Sequence, residues 1–428
     1  MKNRSDMEKQ SKRVLYVAYH YPPILGSSGV HRTLAFTREL ANNGWDVTVL
    51  TTTLKAYENW SESQLRFIPE NIRVIRAFAR NVAKHFSFRG KYLGAMALPD
   101  NWQSWILGGV LSGIKHIITH GKPQLIVSTY PIASAHIIAY CLSRMFNIPW
   151  IVDLRDPMAQ ANYPTEPSRK KWFLWIEQKF IKHSHAAIVT TPGAKTFYEG
   201  KYPHTPKDFW HVVPNGYDEV IFNELSDKIE QQRHKASSQK IVLLHSGLIY
   251  PNERDPSALF DAIQQLKEKG QLHADNFLLR LRASGNEALF QQWVEKRDIQ
   301  DLVEFAATIP YTDALNEMTE VDGLLIMQAA NCDYQIPAKA YEYIRCKKPV
   351  LALTTETGDT GRLLRDTGHA TIAPLDDTKK IEAALQAHIE NCQKGLPQAL
   401  STEKIRAYSR QYHAEEFVQV VEAARKKP

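Results

Sequence analysis

The side chains of this sequence best suited to chemistry are one carboxylate and a few cations in its second half. Glu342 stands in a run of good helix formers, residues 338–345. Pro337 suits the first position of that helix, because its missing N–H would be unpaired there anyway. Lys347, Lys348 and Pro349 stop the helix, and Val350, Leu351, Ala352 and Leu353 follow as a short apolar run of buried-strand type. A carboxylate in a mostly apolar helix can accept hydrogen bonds from both hydroxyls of a vicinal diol such as a ribose. The other reading is a solvated helix face. Lys339, between Ile336 and Glu342, offers a cation or is a surface lysine. Upstream, residues 241–244 are apolar and lead into HSGLIYPNERDPSALFDAI, a strand, glycine loop and helix. Gly247 would let the backbone approach a diphosphate and Arg254 would neutralise it, since a guanidinium suits bidentate phosphate contact. Alternatively, Arg254 is a surface residue ahead of a helix that starts near Pro256.

The first half carries a second group. The apolar run RVLYVAY is followed by HYPPILGSSGVHR and a helical pattern to Leu40. Gly26 and Gly29 allow close backbone approach, and the helix presents free N–H groups to an anion or hydroxyl in the loop. Further on, IPWIVDL reads as a strand that ends in Asp153, Arg155 and Asp156. Ligands of open α/β sheets bind beyond the carboxyl ends of strands, so these residues are site candidates; an Asp–Arg pair bracing the loop is the structural alternative. His136, on a helix, is a further catalytic candidate, although a histidine so placed more often serves packing.

The elements that must position these groups alternate. Strands are expected at residues 13–19, 47–51, 123–129, 148–154, 186–191, 241–244, 277–283, 303–306, 323–327 and 350–353, most of them separated by helical stretches; that is the pattern of parallel sheets. The strand at 277–283 ends at Ser284 and Gly285, again at a sheet edge where ligands bind. The polar run SDKIEQQRHKASSQK places a hinge near residues 226–240, and residues 402–427 read as one long helix.

With 428 residues and 43% hydrophobic content, the chain is long enough for two ordinary domains and is not disordered. Its four cysteines, Cys141, Cys332, Cys346 and Cys392, form no CxxC pair, which argues against a zinc site or a disulfide framework. The polar start MKNRSDMEKQSK lacks the apolar core of a secretory signal, and the most apolar window, residues 105–114, falls far short of the roughly 20 residues of a membrane span. A cytoplasmic protein is expected. The net charge is +7, and residues 71–99 hold Arg73, Arg76, Arg80, Lys84, Arg89 and Lys91 without an acid, interleaved with Phe78, Phe86, Phe88 and Tyr92. Such a segment suits an anionic membrane surface, at about 1 kcal/mol per basic residue, or a nucleic acid, or is a solvated face. The amphipathic run SRKKWFLWIEQKFIKH first suggests core packing and second a helix at a lipid interface.

Taken together, the motifs resemble those of the family 4 glycosyltransferases. Pro337, Lys339, Glu342, Tyr343, Lys348, Pro349 and Val350 are similar to that family's donor-sugar motif. YPP, Gly26, Gly29, Arg32 and GWDVTVLTT resemble its opening, and STYP…AH with DLRDP resembles its bacterial polysaccharide branch. VVPNGYD resembles the closing signature of the first domain, and Gly247 with Arg254 the phosphate loop. The fuller donor motif has an acid eight positions before the ribose glutamate; here Tyr334 occupies that position, and Asp333 is adjacent.

The resemblance implies an α/β protein of GT-B architecture, two Rossmann-like domains facing across a cleft. Residues 1–220, with a helix at 402–428 packing back, would form the acceptor side, and residues 221–401 would bind a nucleotide sugar. It implies a retaining hexosyl-type glycosyltransferase (EC 2.4) of bacterial cell-surface polysaccharide biosynthesis. The donor would be a nucleotide diphosphate sugar, held by Gly247, Arg254, Ser284, Gly285, Ile336, Pro337, Lys339 and Glu342, and the acceptor a glycan or lipid-linked sugar. Asp156 and Arg155 lie near the family's catalytic-site histidine, with His136 as a third candidate, and Gly26, Gly29 and Arg32 form the acceptor or phosphate loop. Cations would neutralise the departing diphosphate, so no cofactor and no metal are expected; nor is a nucleic-acid partner. A peripheral place at the inner face of the membrane follows. The alternatives are a nucleotide-sugar epimerase of the same fold and a non-catalytic binding protein related to these enzymes.

Overall fold

The computed structural model describes residues 12–25, 28–85, 94–161, 163–232, 240–251, 253–368, 370–394 and 400–426. The chain divides into two compact units, residues 1–214 with 411–428, and residues 215–410. The sequence reading placed the boundaries at 220/221 and 401/402. The expected hinge segment, residues 226–240, falls inside the second unit, where a helix runs to Gln232 and residues 233–239 lie outside the described set.

The first unit is built on a seven-stranded parallel sheet: β1 (Lys12–Val17), β2 (Trp45–Thr52), β3 (Arg73–Ala77), β4 (Leu125–Thr129), β5 (Trp150–Leu154), β6 (Ala186–Val189) and β7 (Trp210–Val212). Its strand order is β3-β2-β1-β4-β5-β6-β7. The helices are α1 (Ser28–Asn42), the single turn α2 (Val82–His85), α3 (Ser104–His120), α4 (Ser134–Phe146), α5 (Pro167–His183) and α6 (Pro192–Lys201). The central strands are continuous apolar runs because helices cover both faces, and Leu15, Val49, Val127 and Val152 are fully buried. Strand order reverses between β1 and β4, so the loops after those strands and after β5 frame a ligand crevice.

The second unit holds a six-stranded parallel sheet, ordered β10-β9-β8-β11-β12-β13. After α7 (Glu219–Gln232) come β8 (Ile241–Ser246), α8 (Ser257–Glu268), β9 (Phe277–Arg282), α9 (Glu287–Lys296), β10 (Val303–Ala306) and α10 (Tyr311–Glu320). They are followed by β11 (Gly323–Met327), α11 (Ala338–Cys346), β12 (Val350–Leu353), α12 (Asp359–Thr367), β13 (Ala370–Ala373), α13 (Thr378–Lys394) and the short α14 (Thr402–Arg406). One face buries Leu243, Phe260, Leu279 and Leu385; the other buries Leu244, Ile326, Tyr343 and Leu364. Here the reversal lies between β8 and β11.

Two expectations about helices need correction. Pro337 is the residue before α11, with extended backbone (φ −63°, ψ 139°), and Lys347 ends the helix in the left-handed region at φ 56°. The helix expected at 402–427 is two helices, because the chain bends at residues 407–409, where Ser409 bridges Tyr217. The second piece, α15 (Arg410–Lys426), contributes to the first unit from Gln411 onward. Phe417 stacks on Phe36 with ring centroids 4.2 Å apart, and Glu422 accepts hydrogen bonds from Lys12 Nζ at 2.9 Å and Trp45 Nε1 at 3.0 Å.

Candidate functional site

In the second unit, the crevice between β8 and β11 collects Gly247, His245, Lys339 and Arg254. β8 runs through His245 and Ser246 and turns at Gly247, whose φ of +109° is a conformation that favours glycine. Lys339, in the first turn of α11, brings its ammonium against this turn: a Cβ on Gly247 would lie 3.4 Å from Lys339 Nζ. Lys339 Nζ is also 3.2 Å from His245 Nε2, and His245 Nδ1 is 3.1 Å from the carbonyl of Leu325 in β11. A carbonyl only accepts, so Nδ1 carries the proton, and the bare Nε2 accepts from the ammonium. Burial, and then the charge of Arg254, push the Lys339 pKa down to about 7, with Glu342 pulling the other way. Arg254 closes the loop that follows, donating from Nη1 to the Leu248 carbonyl at 2.7 Å, with its guanidinium 5.4 Å from the Tyr250 ring.

The segment before α11 is held from beneath. The Gln328 amide at the end of β11 donates to the carbonyls of Cys332 at 2.7 Å and Gln335 at 3.0 Å, and Thr360 Oγ1 donates to Gln335 at 3.0 Å. These bonds fix the approach to Ile336 and Pro337. Asp333 accepts from Thr355 Oγ1 at 2.5 Å, and its carbonyl accepts from the Asp359 N–H at 2.7 Å, so it ties this segment to the loop before α12. After β9, Ala283, Gly285 and Asn286 all adopt positive φ; the Ser284 hydroxyl is buried there without a hydrogen-bond partner among the described residues.

Glu342 is buried, with only 6% of its surface exposed, which removes the solvated-face reading. Its Oε1 accepts from the Tyr311 hydroxyl of α10 at 2.6 Å and lies 4.0 Å from Arg410 Nη2. The carboxylate is thus oriented from two sides within its own unit. Lys339 is likewise packed among protein groups and is no free surface lysine.

In the first unit, Gly29 lies in the first turn of α1 under the Arg155 guanidinium, which a Cβ there would strike, and the same Cβ would lie 3.2 Å from His20 Nδ1. The structure therefore gathers Gly29, Arg155, Asp156 and a residue that sequence reasoning did not single out, His20. His20 lies in the loop three residues after the end of β1, and its position just past a strand end was the signal available. Burial, followed by the Arg155 charge, lowers its pKa to about 3, so it is neutral. Burial raises the pKa of Asp156 against the opposing pull of Arg155 and Arg32. That direction suits a carboxyl group that exchanges a proton with an acceptor hydroxyl.

Two other candidates are placed elsewhere. Arg32 is buried and spends its guanidinium on structure, with Nη2 2.8 Å and Nε 3.3 Å from Asp153, and Nη1 and Nη2 on the carbonyls of Pro214 and Val213 at 2.8 and 3.0 Å. It braces α1 against β5 and the end of β7, and is not available to a ligand phosphate. The bracing pair expected within DLRDP is therefore Asp153 with the distant Arg32. His136 is fully buried in α4, its Nδ1 2.7 Å from Ser128 Oγ in β4, and burial lowers its pKa to about 3. It is a core histidine, enclosed by the protein near the end of β4. Gly26 lies outside the described residues.

Two parallel-sheet units of this kind, each with a crevice at its strand reversal, are the units of the GT-B fold. Residues 28–216 match the glycosyl transferase 4-like domain, so the first unit carries a domain of that kind, within a chain of GT-B fold. No curated protein sequence matches it. Among solved structures, the fold is similar to sucrose-phosphate synthase from Thermosynechococcus elongatus, with TM-score 0.69 and 14% identity over 96% of this chain and 98% of that one. It is similar to HepE of Anabaena in complex with UDP-glucose, with TM-score 0.65 and 14% identity over 96% and 99%. It is also similar to a putative UDP-N-acetylglucosamine 2-epimerase from Listeria monocytogenes, with TM-score 0.58 and 12% identity over 96% and 96%.

Proposed function

We propose that the chain transfers a sugar, with retention of anomeric configuration, from a nucleotide diphosphate donor to a glycan or lipid-linked acceptor in bacterial cell-surface polysaccharide biosynthesis. The observation that carries this reading is the ammonium of Lys339 set against the open turn at Gly247, with Arg254 closing the same loop. Two cations and a backbone that can approach closely are what a departing diphosphate needs, because negative charge accumulates there as the glycosidic bond to the donor breaks. These cations make a divalent metal unnecessary, and turnover unchanged by EDTA is the corresponding check. Glu342, oriented by Tyr311, grips the ribose; Ser284, Gly285, Ile336 and Pro337 line the donor side; Asp156 and Arg155, with Gly29, serve the acceptor hydroxyl. The complex of HepE with UDP-glucose makes UDP the first nucleotide to try.

Contact with an anionic membrane face is part of the same reading. Leu107, Leu111 and Ile118 recur at helical spacing along α3 with 67%, 58% and 72% of their surface exposed, and Phe78 abuts the same helix at Gly108. Arg80 lies 5.8 Å from the Phe78 ring.

Thermal stabilisation by UDP, GDP, ADP and dTDP tests the donor reading. A nucleotide at 100 times its dissociation constant stabilises by about 2.7 kcal/mol; one of the four is expected to do so, and failure of all four overturns the reading. Incubation of the matching nucleotide sugar without acceptor separates transfer from epimerisation: slow hydrolysis supports a transferase, and an epimerised donor supports the alternative.

A further inference from the structure

The donor crevice contains a buried titratable group that the proposed reaction does not use. His245 lies inside β8, fully buried, at a strand position where its neighbours Leu243 and Leu244 are apolar. Its contacts are specific. Nδ1 is 3.1 Å from the Leu325 carbonyl on the adjacent strand, and Nε2 is 3.2 Å from Lys339 Nζ. The carbonyl forces the proton onto Nδ1 and leaves Nε2 as a bare acceptor pointing at the ammonium. The two hydrogen bonds form one chain of contacts from sheet to imidazole to lysine, and the lysine meets the turn at Gly247.

We propose that His245 is a positioning residue, whose imidazole anchors Lys339 to the sheet and holds its proton-bearing nitrogen over the Gly247 turn, so that donor binding depends on the protonation of that lysine. The inference rests on the reading of this crevice as the donor site. A lysine side chain has several freely rotating bonds and loses about 2 kcal/mol of rotamer freedom when fixed. An acceptor built into a strand bears that cost during folding, before any ligand arrives. The groups facing Lys339 are His245 from β8, Arg254 from the loop after β8, and Glu342 from its own helix. A charged imidazole would place two cations 3.2 Å apart, and burial together with Lys339 and Arg254 keeps His245 neutral. Because the lysine titrates near neutrality, a diphosphate meets a cation at low pH and an amine at higher pH, and removal of the Nε2 acceptor moves that change to lower pH.

Calorimetric titration of the full chain tests this, with whichever of UDP, GDP, ADP and dTDP stabilises the wild type most. Wild type, Lys339→Met, His245→Phe and His245→Gln are compared from pH 6 to 8.5. Lys339→Met is expected to weaken binding by about tenfold or more. His245→Phe keeps the ring volume but lacks an acceptor; it should weaken binding by about tenfold, and the ratio of wild-type to variant affinity should widen as pH rises from 6 to 8. The ratio cancels the ionisation of the nucleotide itself, and a merely structural loss would leave it flat. His245→Gln, whose carbonyl oxygen reaches close to the Nε2 position, should recover most of the affinity. If Lys339→Met binds like wild type, the donor reading itself falls. If Lys339→Met weakens binding while His245→Phe binds like wild type, or the ratio stays flat, the inference about His245 is overturned. Should His245→Phe not fold, His245→Asn replaces it: Asn cannot reach Lys339, so equal affinity of the Asn and Gln variants overturns the inference and weaker binding by Asn supports it.

Discussion

Lys339 shows at the scale of one residue how a group set for the proposed donor binding works against its own fold. Burial and the Arg254 charge lower its pKa from 10.5 to about 7, so the folded state holds the proton less tightly than the unfolded chain does. Stability therefore rises with pH across the window from about 7 to 10.5, and below about 7 the full cost is present. At about 1.4 kcal/mol per pH unit the upper bound is roughly 5 kcal/mol, and solvent access to a side chain that is only part-buried reduces this to about 1–3 kcal/mol. Lys339→Met is thus expected to raise the melting temperature of the ligand-free protein at pH 7.5, by an amount that shrinks as pH approaches 10, while stabilisation by nucleotide is lost. A melting series against pH, with and without nucleotide, checks both halves. A ligand-free variant no more stable than wild type at pH 7.5 would show that the lysine is better solvated than its surroundings imply.

Among elements, the Arg32–Asp153 pair carries the first unit's crevice. Asp153 is fully buried, and besides Arg32 it accepts from Thr129 Oγ1 at 2.8 Å, while its carbonyl accepts from the Tyr130 N–H at 3.0 Å. The pair thus ties α1, β4, β5 and the end of β7. Asp153→Asn leaves Arg32 as a buried cation without its counter-charge, and a loss of about 3–5 kcal/mol is expected, read as a lowered midpoint in urea. If the variant instead unfolds like wild type but turns over slowly, Asp153 is a functional group and not a brace. The same pair shows what the sequence can and cannot tell. Its partners are 121 residues apart, so Arg32 read as a loop residue facing a ligand. His136 misled in a similar way, because a histidine in a helix has the same spacing whether it faces core or cleft. The strands of both sheets were legible as apolar runs, except β3, β7 and β13; β7 is only three residues long. β3 is an edge strand with Arg73 and Arg76 in its pattern, hidden in a basic segment, and β13 is an edge strand with one buried residue. Gly247 and Arg254 could be placed from spacing, since they follow the end of β8, and Lys339 from its place at the start of the α11 pattern. His245 could not, because within IVLLHS it reads as one more strand residue and only the paired register of β8 with β11 reveals its partners.

For the whole molecule, the net charge of +7 and the uncovered face of α3 bear on where the protein works. No helix among the described residues is long and apolar enough to cross a membrane. Three aliphatic side chains on one exposed helix face are more than a surface helix ordinarily leaves uncovered, and basic residues from the segment 71–99 are close by in sequence, with Arg89, Lys91, Phe86, Phe88 and Tyr92 outside the described residues. Each aliphatic group taken into a lipid surface contributes about 1.5–3 kcal/mol when fully buried, and each basic residue near anionic headgroups about 1 kcal/mol. The charge term is screened by salt and the apolar term is not. Binding to vesicles of phosphatidylcholine with anionic lipid is therefore expected to weaken, but not vanish, as salt is raised, and to be much weaker on phosphatidylcholine alone. Leu107→Ser with Leu111→Ser should remove the salt-resistant part, lowering partitioning by at least about tenfold, while nucleotide binding stays at the wild-type level. A double variant that pellets with vesicles like wild type would take α3 out of the contact. A wild type that ignores anionic vesicles at low salt but binds duplex DNA would turn the basic segment toward nucleic acid, because the same charges serve either polyanion and only the exposed leucines favour lipid.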